Sequence, residues 1–289
     1  MNFKDNRIAG YLIILAVYFI AAIVGIVVYL NLHFAVWLKL MLADIAATLF
    51  VYLFSAIFRN ASVYDPYWSV APAIVVTAFS IYAGPLSPIK IGLIIIVALW
   101  SLRLTVNWAY TFKGMGHQDW RYIMLKEKTG GVYQLVNLFG IHLFPTLVVY
   151  LCIVPAVYLI NFGAEVSLAA MIIAFFGLGI SLLGIALESI SDFELHHFKF
   201  LKKPGFIRVG LWKHARHPNY LGEILMWWGI AIACCVVLNR WYFLAGAVVN
   251  TLMFLVVSIP MADEHQASKP GFEKYKDETN SLLPIKIKK

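Results

Sequence analysis

Charged side chains are scarce. Asp, Glu, Lys and Arg together make up 13% of the 289 residues, about half of what a soluble domain carries. That excludes an ordinary water-soluble globule, and a 62% apolar, 15% aromatic content excludes a disordered chain as well. Cysteine is nearly absent. Cys152, Cys234 and Cys235 all sit in apolar stretches, giving neither a disulfide framework nor a CxxC metal spacing. Internal repeats and low-complexity tracts are missing too. The fragments Gly177-Leu-Gly179 and Gly114-Met-Gly116 do not complete a GxGxxG turn between a strand and a helix, so no Rossmann domain is expected. The first reads as a close helix–helix contact, the second as a loop bend.

What the chain has is long uncharged runs and a mean hydropathy of +0.80. Residues 8–30, 66–89, 166–187 and 241–262 are uncharged throughout, and about 20 apolar residues suffice to cross a bilayer as a helix. Residues 129–164 are uncharged as well and can hold a loop followed by a span from about 141 to 161. Three further spans carry charges within them: 36–58 (Lys39, Asp44), 91–112 (Arg103) and 221–238 (Glu223). The expectation is an all-α, polytopic membrane bundle of about eight helices. The first run is too long, and too poor in an A-x-A-like site, for a cleaved signal. With a cytoplasmic N-terminus, nineteen of the 23 Lys and Arg fall on the cytoplasmic side, so both termini should face the cytoplasm. The net charge of +8 then needs no nucleic acid to explain it.

The outer connections are short and the inner ones long. Between His196 and Tyr220 lie six cations, Lys199, Lys202, Lys203, Arg208, Lys213 and Arg216, and no acid. The positive-inside rule alone accounts for such a run, with anionic headgroups as partners. The sharper reading is a polyphosphate site, since Arg and Lys pair strongly with phosphate oxygens. The residues that follow favour the second reading. In Arg216-His217-Pro218-Asn219-Tyr220-Leu221-Gly222-Glu223, cationic, amide, phenol and carboxylate groups crowd the mouth of a membrane helix. Pro218 is a first-turn residue there, the helix N-terminus favours anions, and Glu223 lies at lipid depth, where an ionisable group is costly.

On the preceding helix Glu188, Asp192 and His196 are spaced i, i+4, i+8 and share one face. A metal is the obvious first thought. His33 and His142 fall outside that region, however, and no HxxxH-plus-HxxHH series exists, so no metal is expected. Hydrogen bonding to a large polar cofactor suits the face better. Asp65 precedes Pro66 and reads at first as a helix N-cap. Arg103 either snorkels or points inward, and Asp44 has no evident partner.

At these residues the sequence resembles the steroid 5α-reductase superfamily, in particular its bacterial membrane branch of DUF1295-like proteins. The likeness rests on Gly210-Leu211-Trp212, the Arg216–Glu223 run, Glu188-x3-Asp192, Gln118-Asp119-Trp120-Arg121-Tyr122, and the tail Pro270-Gly271-Phe272-Glu273-Lys274-Tyr275, which ends in Pro284. It covers the chain from Asp65 onward. The resemblance implies a single membrane domain over 1–289: two N-terminal helices (8–58), a reductase-like core (59–262) and a cytoplasmic tail (263–289) completing a cofactor site. It further implies an NADPH-dependent reductase of an enone in a lipid or steroid-like substrate that enters from the bilayer. The chain would be a monomer in a bacterial inner membrane, with the cofactor site facing the cytoplasm. Carried over residue by residue, Asn219, Tyr220 and Glu223 hold the nicotinamide or its ribose, and Glu188 and Asp192 take amide or ribose contacts. Arg103, Arg121, Arg208 and Tyr275 take phosphate and adenosine contacts, and His196, Arg216, His217 and Glu264 complete the cofactor set. Asp65 stands where these reductases polarise the substrate carbonyl. Their partnering Tyr falls near Trp100, leaving Tyr67 or Tyr110 to supply the phenol.

Two other classes compete. An S-adenosylmethionine-dependent enzyme similar to isoprenylcysteine carboxyl methyltransferase shares the RHP-x-Y-x-G turn. Glu223 directly after the Gly, and six cations suited to a phosphate-rich cofactor, argue for the reductase. A transporter or scaffold would spread its polar residues through the midplane, whereas here they crowd one face.

Overall fold

The computed structural model describes residues 6–163 and 165–283. Lys4, Lys286, Lys288 and Lys289, four of the cations assigned to the cytoplasmic side, and Pro284 of the tail lie outside the described residues. The chain is 82% helical, without a strand among the described residues. In order come α1 (Arg7–Asn31), α2 (Val36–Phe58), α3 (Tyr67–Tyr82), α4 (Pro88–Thr111), α5 (Trp120–Thr129), α6 (Tyr133–Val136), α7 (Phe144–Phe162), α8 (Leu168–Phe200), α9 (Pro218–Leu238), α10 (Ala245–Met253), α11 (Ile259–Ala267) and α12 (Phe272–Glu278).

Among the described residues seven helical stretches are long and apolar enough to cross a membrane, as an integral membrane bundle requires. The remaining expected span, 66–89, holds only α3, whose 16 residues reach about 24 Å, short of the ~30 Å hydrocarbon core. The loop expected ahead of residue 141 is helical instead. Gly130, at φ +51, ends α5, but the chain resumes at once through α6 and a π-helical turn, Asn137–Leu143, into α7. Local chemistry sets several ends. The Asn6 side chain accepts from the Ile8 and Ala9 amides at α1, Ser167 caps α8, and Pro218 opens α9. With 33 residues, α8 extends about 50 Å, so its C-terminal third outruns the hydrocarbon layer.

The chain divides into two compact units, each described by itself. Unit 1 holds the described residues up to Ala78 together with Trp100–Val154. In it α1 packs against α2 through small residues, with Gly25 against the Ala43 carbonyl. The connection after α2 is irregular yet buried: Asn60, Ala61, Ser62, Val63 and Tyr64 are all at most 5% exposed. Its polar groups are matched as burial demands. Asn60 Nδ2 donates to the Met115 and His117 carbonyls, the Asp119 amide donates to Ser62 Oγ, and Tyr18 donates to the Val63 carbonyl.

Unit 2 holds Phe79–Leu99 and the described residues from Pro155 onward. Its centre is the α8–α9 pair, joined along a seam of glycines. Gly177 meets Gly229 and Gly184 meets Gly222, backbone against backbone, with Ser181 Oγ donating across to the Met226 carbonyl at 2.8 Å. Seven residues separate the glycines on each helix, so both pairs lie on one stripe, the small-residue packing that lets membrane helices approach closely.

Candidate functional site

In unit 2 the glycine seam determines which polar groups face each other. Glu188 lies one turn beyond Gly184 and is 6% exposed; Glu223 directly follows Gly222 and is 3% exposed. The Trp227 indole donates to Glu223 Oε1 at 2.8 Å. One turn farther along α8, Asp192 Oδ1 accepts from Asn219 Nδ2 at 3.4 Å. The other face of that amide, Asn219 Oδ1, is buried and receives no hydrogen bond among the described residues. The reverse amide assignment would set its oxygen against the Asp192 carboxylate, so the orphan is an acceptor. His196, another turn on, is partly buried. The Tyr220 ring stacks on His217, with centroids 5.1 Å apart and planes within 7°, and rests on Phe254 in the π-helical turn Phe254–Ser258. Pi-helical turns inside α-helices are frequent at functional sites.

Below this cluster the tail is strapped onto the α8–α9 connection. Asp263 is the knot: it accepts from Arg216 Nη2 at 3.1 Å and from His217 Nε2 at 2.9 Å, all three side chains being at most 10% exposed. Arg216 also donates to the Lys276 and Thr279 carbonyls. The Arg216 and His217 amides donate to the Asn280 and Ser281 carbonyls. The Tyr275 hydroxyl donates to the Trp212 carbonyl, and burial pushes its phenol up to about 12, so it stays a donor. Trp212 Nε1 donates to the Ser191 carbonyl, and Glu194 accepts from the Leu211 amide. That carboxylate fills the space beside Gly210, at φ +58, where any Cβ would collide with it. Arg216, His217 and Tyr275, expected around a cofactor, thus spend these hydrogen bonds on the protein. Arg208 lies 4.3 Å over the Phe206 ring and donates to the Gly271 carbonyl; it is exposed, as are Lys199, Lys202, Lys203 and Lys213. Glu264, next to the knot, is exposed.

The remaining expected residues belong to unit 1. Asp65 Oδ1 accepts from the Tyr122 hydroxyl at 2.5 Å. Loss of water contact pushes Asp65 up to about 6; the Arg121 guanidinium pulls against that rise and the Asp119 charge adds to it. Arg121 itself pairs with Asp119 at 2.8 Å. The phenol beside Asp65 is therefore Tyr122 rather than Tyr67 or Tyr110. Tyr67 donates to Asp44 at 2.9 Å, and Tyr110 is 67% exposed. Arg103 is partly buried on α4. Tyr122 and Asp44 escaped assignment from sequence because 57 and 23 residues separate them from their partners, and no helical spacing spans such gaps. Among the described residues no three His, Cys, Asp or Glu side chains converge as they would around a metal.

Residues 51–279 match the model of a family described as a protein of unknown function, DUF1295. The chain belongs to this family. DUF1295 proteins are related to steroid 5α-reductase-like membrane proteins. The matched stretch takes in every candidate from Asp65 to Tyr275; Asp44 precedes it. An uncharacterized protein of Schizosaccharomyces pombe is 28% identical over 200 residues, which cover 58% of this chain and 56% of the relative. The chain thus spans about half the length of that curated relative. No solved structure matches it.

Proposed function

We propose that this DUF1295 protein is an NADPH-dependent reductase of an activated carbon–carbon double bond in a lipid or steroid-like molecule. It would act as a monomer in a bacterial inner membrane, taking its cofactor from the cytoplasm and its substrate from the bilayer. The observation that carries the reading is Asn219 Oδ1, a buried acceptor without a donor among the described residues, beside Asp192 and one turn before Glu223. Leaving such a group unmatched costs roughly 1–3 kcal/mol, and a carboxamide N–H satisfies it. Asp192 and Glu188 suit amide or ribose hydroxyl donors, while Arg208 and the exposed lysines of 199–213 suit phosphates.

When bound, NADPH supplies a hydride to the β-carbon of an enone. The rest of the chemistry belongs to the chain. Within unit 1, Asp65 and Tyr122 are an acid and a phenol joined by a 2.5 Å hydrogen bond, a pair of the kind that can hydrogen-bond a carbonyl oxygen. Burial keeps that carboxyl protonated farther toward neutrality than an exposed one. The glycine seam holds Glu188 and Asp192 against Asn219 and Glu223, so the polar groups are in place before a ligand arrives.

Thermal unfolding of the detergent-solubilised protein with NADPH, NADH or S-adenosylmethionine tests the reading. A ligand at a hundred times its Kd stabilises by about 2.7 kcal/mol, so NADPH should raise Tm by about 5 °C or more. Asn219→Ala and Glu223→Gln should abolish that shift while unfolding cooperatively on their own. Stabilisation by S-adenosylmethionine without any by NADPH would overturn the proposal in favour of methyl transfer.

A further inference from the structure

We infer that unit 1 holds a separate binding site for the hydroxyl end of an apolar lipid, with Asp44 as its acceptor. Asp44 lies eight residues from the Val36 end of α2 and fourteen from the Phe58 end, about 12 Å and 21 Å along the axis. It is therefore an acid inside the hydrocarbon layer, where such a group marks function by default. Oδ1 accepts from Tyr67 at 2.9 Å. The Tyr67 ring is fixed between Tyr64 and Tyr18, with centroids 5.6 Å away on each side. The neighbouring hydroxyls satisfy one another: Thr48 bonds Thr146 at 3.1 Å, and Thr146 bonds Tyr64 at 2.8 Å. Among the described residues Asp44 Oδ2 receives no hydrogen bond.

An independent observation supplies the space. Asp44 and Thr146 stand on the wall of a partly open cleft whose other walls include Leu40, Trp68, Pro72 and Ile153. Its free volume is about 20 Å³, room for one water-sized group. Size and donor count then choose the head. A carboxylate or phosphate is too large for the cleft. An ammonium brings three donors to one open acceptor and leaves buried N–H groups unmatched. A hydroxyl brings one donor and fits, and its apolar chain lies along the Trp68 and Pro72 side of the cleft. The inference stands apart from the nucleotide reading, since every residue it uses belongs to unit 1.

The test uses the protein in phosphatidylcholine nanodiscs without nucleotide, with a long-chain alcohol carrying a diazirine in its chain. Photolabelling should concentrate on peptides covering 68–75 and 149–153. Excess dodecanol should compete and dodecyl methyl ether, which cannot donate, should not. Asp44→Leu removes the acceptor, and should cut labelling of these peptides at least fivefold while α1 peptides label as before. Asp44→Asn leaves its one oxygen to Tyr67 and turns an N–H toward the cleft, so in this variant the ether should compete as well as dodecanol. Equal competition by the ether in the parent protein, or unchanged labelling of Asp44→Leu, would overturn the proposal and leave the cleft to water or to a plain hydrocarbon chain.

Discussion

Replacing Gly222 by alanine puts a methyl group into the close-packed α8–α9 seam. The added Cβ would stand 2.6 Å from the Gly184 carbonyl oxygen and 2.7 Å from both the Cβ and the amide nitrogen of Glu188. Ordinary contact begins at 3.4 Å, so the shortfall is about 0.8 Å against atoms that belong to backbone or are fixed to it. A side chain cannot rotate away from such a clash, and the two helices must separate. Overpacking of this kind costs typically 1–3 kcal/mol, and about 2 kcal/mol corresponds to a fall in Tm of roughly 4–8 °C for a chain of this size. Gly179→Ala is the internal control. It sits on the partner helix α8 with nothing within 4 Å of its added Cβ, and should be neutral or slightly stabilising. The assay is thermal unfolding of both variants in one detergent, read beside the NADPH-induced shift. Widening the seam moves Glu188 and Asp192 away from Asn219 and Glu223, so Gly222→Ala should lose the shift as well as stability, and Gly179→Ala should lose neither. If Gly222→Ala proves as stable as Gly179→Ala, the helices are not in backbone contact and the site geometry built on the seam is wrong.

Asp65 carries a pH signature. Its folded value of about 6 lies above the ordinary 3.8, so stabilisation by the neutral form is complete below about pH 4 and is lost as pH rises through 6, up to about 3 kcal/mol. Asp65→Asn, neutral at every pH, should therefore gain on the parent protein between pH 4 and 7 in Tm measurements; parallel profiles would contradict the burial of this acid. At the tail, Asp263→Ala leaves Arg216 and His217 buried without their counter-charge, a loss of about 3–5 kcal/mol by the usual cost of breaking a buried pair. Limited proteolysis should then cleave within 268–283 while the helices of unit 1 resist, and an uncut tail would show that the strap is held elsewhere.

Much of this architecture is legible in one dimension. The apolar runs locate the membrane stretches because a helix in lipid must satisfy its own backbone, and only α3 and the 129–140 segment depart from that reading. α3 starts at Tyr67, one residue into the expected span, and falls short because it stops at Tyr82, where Gly84-Pro85 follow and the residue before a proline disfavours helix. In 129–140, Gly130 ends α5 but the chain resumes at once through α6 and a π-helical turn, so the expected loop is helical. Glu188, Asp192, Asn219 and Glu223 were legible as a cluster, because i, i+4 spacing and a proline at a helix start are local facts. Arg216 and His217 were legible as important yet not as structural, because their partner Asp263 stands 47 and 46 residues away.

Composition and the long apolar runs by themselves determined that this chain is a helical membrane protein. They act through the nearest neighbours along the chain and through the solvent, and both can be read position by position. Only the tertiary structure decided that Tyr122 serves Asp65, that Tyr67 serves Asp44, and that the conspicuous Arg–His pair holds the tail. Such pairings depend on which helix face meets which. Close packing of backbone and side-chain volume settles that, as where Gly184 admits Gly222, and no spacing along a single helix encodes it.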